Sequence, residues 1–158
     1  MSNKYENSFS DLWEKNNGFR DAIDSVSKII NKTEQQLVIY AEDLKDNLYA
    51  DLTIMKNMET ILDQGKKITI YWTQKSGMTI NTIIDYFTQK YPNYFESIQT
   101  KNEPLDIDFA ISDDKYIRVE FDKVMYRARY IVEDSIVKST IAKKWITRLN
   151  EDLEKIIA

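Results

Sequence analysis

The sequence predicts an α/β fold, in which a mixed β-sheet with a parallel βαβ unit plus an antiparallel hairpin is flanked by helices. Three observations predict it. Two short apolar runs, QLVIYA (36–41) and KKITIYW (66–72), enclose a stretch of helical periodicity. Residues 105–123, LDIDFAISDDKYIRVEFDK, alternate apolar and polar positions on both sides of a turn. Only three Gly and two Pro punctuate the chain, so the elements are long and the connections short.

Taken in order, Ser8 or Ser10 is placed to cap a first helix in which Phe9, Leu12, Trp13, Phe19, Ile23, Val26 and Ile30 recur mainly at steps of three and four. Gly18 is a candidate break within it. Gln36–Ala41 is rich in β-branched and aromatic residues, the composition of a strand buried on both faces. Leu48, Leu52, Met55, Met58 and Leu62 mark one face of the next helix, and Gly65 stands where a C-terminal glycine cap belongs. Residues 66–72 repeat the buried-strand pattern, so the two strands are expected to be parallel with a right-handed crossover.

A helix over 78–90 sets Ile80, Ile83, Ile84, Phe87 and Tyr91 on one side and stops at Pro92. The tail NYFESIQTKNEP is read as a further short turn of helix. Residues 107–111 and 116–121 form a hairpin around SDDK, and VMYRARYIV (124–132) adds a strand. A long helix over 135–157 turns Ala142, Trp145, Ile146, Leu149, Leu153 and Ile156 inward.

With 158 residues, the length suits a single domain over 1–158, divided into an N-terminal helical segment (1–32) and an α/β core with a long C-terminal helix (36–158). The balance of 42% hydrophobic and 30% charged residues is globular and not that of a disordered chain. No apolar run approaches the ~18 residues that span a bilayer, and MSNKYENSFSD lacks the apolar region of a secretory signal. The expectation is a soluble, cytoplasmic protein with no membrane partner.

The chain has no cysteine, which excludes disulfides, thiolate metal sites and cysteine nucleophiles. It also has no histidine, which excludes imidazole proton shuttles, Ser–His pairs and His-ligated metals. Neither a GxGxxG nor a GxxxxGK[ST] phosphate loop is present, and no cofactor is expected. The net charge of −4, with no Lys/Arg cluster longer than KK, disfavours nucleic acid as a partner.

The element order and several phrases resemble one half of the phospholipase D-like superfamily. LVIYAEDL leading through a helix to KKITIYW, then a helix and a hairpin, matches the frame in which that family carries HxKxxxxD. Setting Asp113 of DFAISDDK at the family's Asp places Asp106 at the nucleophilic His and Asp108 at the Lys. DKYIRVEF followed by RARYIVEDSIVKSTIAKKWITRLNEDL is similar to the tail of small degenerate members. The resemblance covers roughly residues 36–155 and rests on pattern rather than invariant letters.

It implies a degenerate single-half member lacking the catalytic residues. The family's reaction needs one imidazole to attack phosphorus, another to protonate the leaving oxygen, and Lys to steady the anionic transition state. Aspartates in those places repel a phosphodiester, so the reading is that of a pseudoenzyme and not of an enzyme. Active short members build one site from two halves, which implies a homodimer or a protein partner in the second half's place. The expected function is protein binding or regulation, as an inhibitor or sensor in a bacterial or phage system. Residue usage rich in Lys, Asn and Ile fits such a source.

Two other readings of the hairpin stand beside it. An Mg²⁺-dependent nuclease would use Asp106 or Asp108 on one strand and Glu120 on the next as metal ligands. Its usual Lys is missing two residues after Glu120, and Lys123 is expected on the opposite face. The plainer reading makes Asp106 and Asp108 solvated and Asp113 and Asp114 turn formers. Arg118 and Glu120 share a face and are candidates to pair with Arg127, Arg129 and Asp108, as a binding cluster or as a surface ion-pair network worth little. Tyr71, Trp72, Tyr116, Tyr126 and Tyr130 are candidates for stacking on single-stranded nucleic acid, although such aromatics mostly serve packing.

Overall fold

The computed structural model describes residues 5–42, 47–73, 78–101 and 104–157. After a 3₁₀ turn at Glu6–Ser8, the elements are β1 (Glu14–Asn16), α1 (Phe19–Asn31), β2 (Gln36–Ala41), α2 (Asn47–Ala50), α3 (Leu52–Asp63) and β3 (Lys67–Trp72). They continue through α4 (Met78–Lys90), β4 (Phe95–Gln99), β5 (Asp108–Ser112), β6 (Tyr116–Asp122), β7 (Arg127–Ile131) and α5 (Ile136–Ile157). One mixed seven-stranded sheet runs in the order β1-β7-β6-β5-β2-β3-β4. β2, β3 and β4 are mutually parallel, and every other pairing is antiparallel.

Alternation along each strand feeds two cores. Leu37, Ile39 and Ala41 of β2 and Ile68 and Ile70 of β3 pack with Val26, Ile29, Ile54, Met58 and Phe87 of the helices α1, α3 and α4. Phe109, Ile111, Ile117, Val119 and Phe121 pack on the opposite side against Trp145, Leu149 and Leu153 of α5. Fully burying each such side chain contributes roughly 1.5–3 kcal/mol, which makes this two-sided burial the main source of stability. All six α5 positions expected to face inward are buried.

The central strands, the βαβ unit, the hairpin and α5 stand where the sequence puts them. Gly65 adopts φ 78. Its N–H donates to Leu62 O, and that of Lys66 to Ile61 O, so two last-turn carbonyls of α3 are satisfied by a left-handed glycine cap.

Four expectations need correction. Residues 9–16 are not helical. Phe9 stacks on Trp145 at 4.6 Å, Trp13 is buried against α5, and β1 joins the sheet edge, so tertiary contacts override the helical spacing. The helix over 48–62 is split at Asp51, whose carboxylate accepts from the N–H groups of Thr53 and Ile54. This cap leaves Leu52 at the new N-terminus and 76% exposed. The stretch after Pro92 forms β4, paired in parallel with β3. Finally, β7 begins at Arg127, because residues 123–126 make a turn in which Asp122 accepts from the N–H groups of Val124 and Met125. Ile80 lies in α4, but its side chain is outside the described residues.

Candidate functional site

β2, β3 and β4 end on one side of the sheet, at Ala41, Trp72 and Gln99. The antiparallel neighbours bring the start of β5 and the end of β6 to the same side. The carboxyl ends of parallel strands are where open α/β sheets place ligands, and here they gather ionisable groups.

Asp108 and Glu120 face each other directly across the β5–β6 ladder, both with almost no solvent access. Asp108 Oδ1 accepts from the backbone N–H of Glu42 at 2.9 Å and pairs with Lys123 Nζ at 3.0 Å. Lys123 also donates to the Glu42 carboxylate. Burial pulls the Lys123 pKa down, yet the carboxylates of Asp108 and Glu42 outweigh it, and the net shift is upward.

One residue pair further along, Arg118 Nη2 donates to Glu120 Oε1 at 2.9 Å. Its Nε reaches Ser25 Oγ at 2.8 Å and Asn16 Oδ1 at 3.3 Å. Ser25 Oγ donates to Asn16 Oδ1 at 2.7 Å, and Asn16 Nδ2 to the Tyr126 carbonyl at 2.7 Å. The small residues Ala22 and Ser25 on the buried face of α1 allow this close approach. A polar row therefore runs along the α1 side of the hairpin, with Asp108, Arg118 and Glu120 buried and Lys123 and Glu42 part-exposed at its end.

A hydroxyl chain starts from Tyr40 on the α5 side of the same strand ends. Tyr40 Oη and Thr73 Oγ1 are 3.1 Å apart, Thr73 bonds Thr100, and the Leu105 N–H donates to Tyr40 Oη at 3.4 Å. Burial raises the Tyr40 pKa, against the lowering effect of the Thr73 and Leu105 hydrogen bonds.

The remaining candidates are dispersed. Asp106 is exposed, with φ 64, just ahead of β5. Asp113, with φ 54, lies at the far end of β5 and accepts from the N–H groups of Glu34, Gln35 and Gln36 at 2.6–2.9 Å. It lines a cavity of ≈ 210 Å³ with Glu34, Lys115 and Tyr116. Asp113 is thus a turn former, as the plainer reading holds, but Asp108 is not solvated and the Arg118–Glu120 pair is not a surface network.

Arg127 and Arg129 do not join that pair. The β6–β7 register sets Arg129 opposite Val119 and, past a bulge, Arg127 opposite Asp122. Both guanidinium groups lie over the Phe121 ring instead, at 5.2 and 4.9 Å. Lys123 is not turned away either, because the chain leaves the strand at Asp122 and brings its ammonium back to Asp108. The five aromatics do not all lie on one face of the sheet, and Tyr130 has Lys28 of α1 over its ring at 5.6 Å. Trp72, Tyr116 and Tyr126 pack on the α1 side, and Tyr71 packs on the α5 side.

Sequence reasoning missed Asn16, Ser25, Glu42, Tyr40, Thr73 and Thr100. Only the small Ala22 and Ser25 on one face of α1 signalled that something would approach it closely. For the nuclease alternative, the ladder does bring Asp108 and Glu120 together. Among the described residues, however, no group of three or more potential ligand side chains could hold a metal ion.

This architecture is the phospholipase D-like fold. Nuc from Salmonella typhimurium, a phospholipase D family member, superposes with a TM-score of 0.58 at 15% identity, covering 87% of this chain and 95% of its own. NucT from Helicobacter pylori gives 0.54 at 17% identity, covering 87% and 97%. TrmBL2, an archaeal chromatin protein with a novel mode of DNA binding, gives 0.62 at 13% identity. That likeness covers 96% of this chain, which spans 57% of the TrmBL2 chain. No family model matches the sequence, and no curated protein matches it. Among the described residues no helix is long and apolar enough to cross a membrane.

Proposed function

We propose that the chain is a non-catalytic phospholipase D-like domain that works by binding another protein, in an inhibitory or sensing role within the cytoplasm of a bacterium or in its phage. One observation carries this reading: no histidine occurs among the 158 residues, and the position matched to the family's Lys is Asp108, buried and tied to Lys123. A phosphodiester brought there would meet carboxylates instead of an imidazole and a free cation. Among the described residues, the cations nearby, Arg118 and Lys123, are engaged by Glu120, Asp108 and Glu42. A likeness to a DNA-binding chromatin protein brings nucleic acid into consideration, but the net charge of −4 opposes a polyanion.

A second reading, an Mg²⁺-dependent nuclease, is favoured by the direct opposition of Asp108 and Glu120. Both are tested by incubating the purified chain with single- and double-stranded nucleic acid and with a lipid phosphodiester, with and without Mg²⁺ or Mn²⁺. The binding reading expects no turnover in any arm. Metal-dependent cleavage that is lost with chelator and with a folded Asp108→Asn variant establishes the nuclease. Turnover without metal refutes both.

A further inference from the structure

The two edges of the sheet are built differently. β1 is three residues long and presents exposed Glu14 and Lys15. Short length and charge are devices that keep sheet edges from pairing with other chains. β4, the opposite edge, is longer and less charged: Phe95–Gln99 runs five residues in unbroken register with β3, with Glu96 as its only charge and no Pro or Lys.

The hydrogen bonding defines what that edge offers. At the two ends of the ladder, Ile68 N–H donates to Tyr94 O and Thr100 N–H to Trp72 O. In a parallel ladder engaged groups fall on alternate residues. Glu96 and Ile98 therefore bond inward to β3, and the backbone groups of Phe95, Ser97 and Gln99 point outward. The Phe95 N–H is satisfied within its own turn by Tyr91 O at 2.9 Å. What remains is the Phe95 carbonyl and both backbone groups of Ser97 and Gln99, on a strand whose Glu96 and Gln99 are exposed and whose Ser97 and Ile98 are half-exposed.

We infer that β4 pairs antiparallel with β4 of a second copy, about a two-fold axis at Ser97, joining two seven-stranded sheets into one. The occupant follows from this arrangement. A chain with one guarded and one open edge forms a closed pair, not a filament, because the same strand serves both subunits. Centring on Ser97 sets its outward groups against their own copies and gives each Phe95 carbonyl the partner's Gln99 N–H. It also places Glu96 opposite Ile98, so no like charges face each other across the seam. The inference rests on the strand geometry and is independent of whether the fold is catalytic.

The test uses the full chain in analytical ultracentrifugation, with Ser97→Pro and Ser97→Cys variants. The Ser97 N–H points away from β3, so proline there removes a seam donor without touching the internal ladder. The chain has no cysteine of its own. A hydrogen-bonded antiparallel pair holds Cα atoms ~5.5 Å apart, within disulfide reach. The expected results are a wild-type mass twice 18.7 kDa, a monomeric Ser97→Pro variant with an unchanged circular dichroism spectrum, and a Ser97→Cys variant that becomes a covalent dimer under mild oxidation. A wild-type monomer at its highest soluble concentration overturns the inference. So does a dimer that folded Ser97→Pro leaves intact, or a Ser97→Cys variant that does not cross-link.

Discussion

Arg118 and Glu120 stand two residues apart on β6 and meet in an ion pair of 2.9 Å, with side-chain exposures of 1% and 0%. Adjacent same-face positions of a strand bring the two charges together, and α1 closes over them. Such a pair brings little net stability, because desolvation offsets most of the attraction, but removing one partner alone is costly.

Arg118→Ala is therefore expected to lower the unfolding free energy by ~3–5 kcal/mol, and Arg118→Met combined with Glu120→Leu to recover most of it. Urea denaturation of the three proteins decides the matter. A single mutant as stable as the wild type would contradict the buried pairing.

At the carboxyl end, Lys123→Met takes the cation from Asp108 and Glu42. Lys123 is 28% exposed, so the loss is expected to be about 1–3 kcal/mol, below that of a fully buried pair. The raised pKa fixes the sign of the pH dependence. The wild-type contribution is complete at neutral pH and disappears as pH climbs through the folded value, so thermal melts of wild type and variant converge in strong alkali.

Asp113→Ala removes the acceptor for three N–H groups at the entry to β2 and puts alanine at φ 54. A loss of about 1–3 kcal/mol is expected from the charge-assisted hydrogen bonds alone. Asp113→Asn, which keeps an acceptor oxygen and tolerates the left-handed region, should lose clearly less. Equal melting temperatures for the two variants would rule out this capping role.

Two tyrosines should resist ionisation. The hydrogen bond to Asp134, then burial, pushes Tyr116 up to about 12. Burial, then the hydrogen bond to Asp63, pushes Tyr91 up to about 12. A folded pKa above the unfolded value of ~10 means stability that is complete below pH ~10 and is lost toward pH 12. Ultraviolet titration should show late phenolate formation coupled to unfolding, and Tyr116→Phe and Tyr91→Phe should each make alkaline stability less steep.

The parts of the fold legible in the sequence are those governed by local pattern. QLVIYA and KITIYW announce buried strands, and the α5 stripe from Ala142 to Ile156 announces its own face. β1 was not legible, because Glu14, Lys15 and Asn16 have no strand character of their own; partners more than a hundred residues away make them a strand. β4 was hidden for a related reason, since FESIQ is an edge with only Phe95 fully buried. The site was half legible. Alternation put Asp108, Arg118 and Glu120 on one face correctly, but assigned that face to water. With helices expected on both sides of the sheet, the central hairpin is covered twice, and its polar row had to be internal.

The Arg118 joint also sets an order of events. Its guanidinium fastens α1 and β1 to a strand that leaves the ribosome 102 residues after Asn16, and the ladder of β1 waits for β7 to follow. Neighbouring segments such as β5 and β6 close at once, whereas contacts this distant in the chain carry the loop-closure cost and form slowly. β1 is thus seated after strands that follow it in the chain, and the Ser25 face of α1 stays open until the hairpin arrives to fill it.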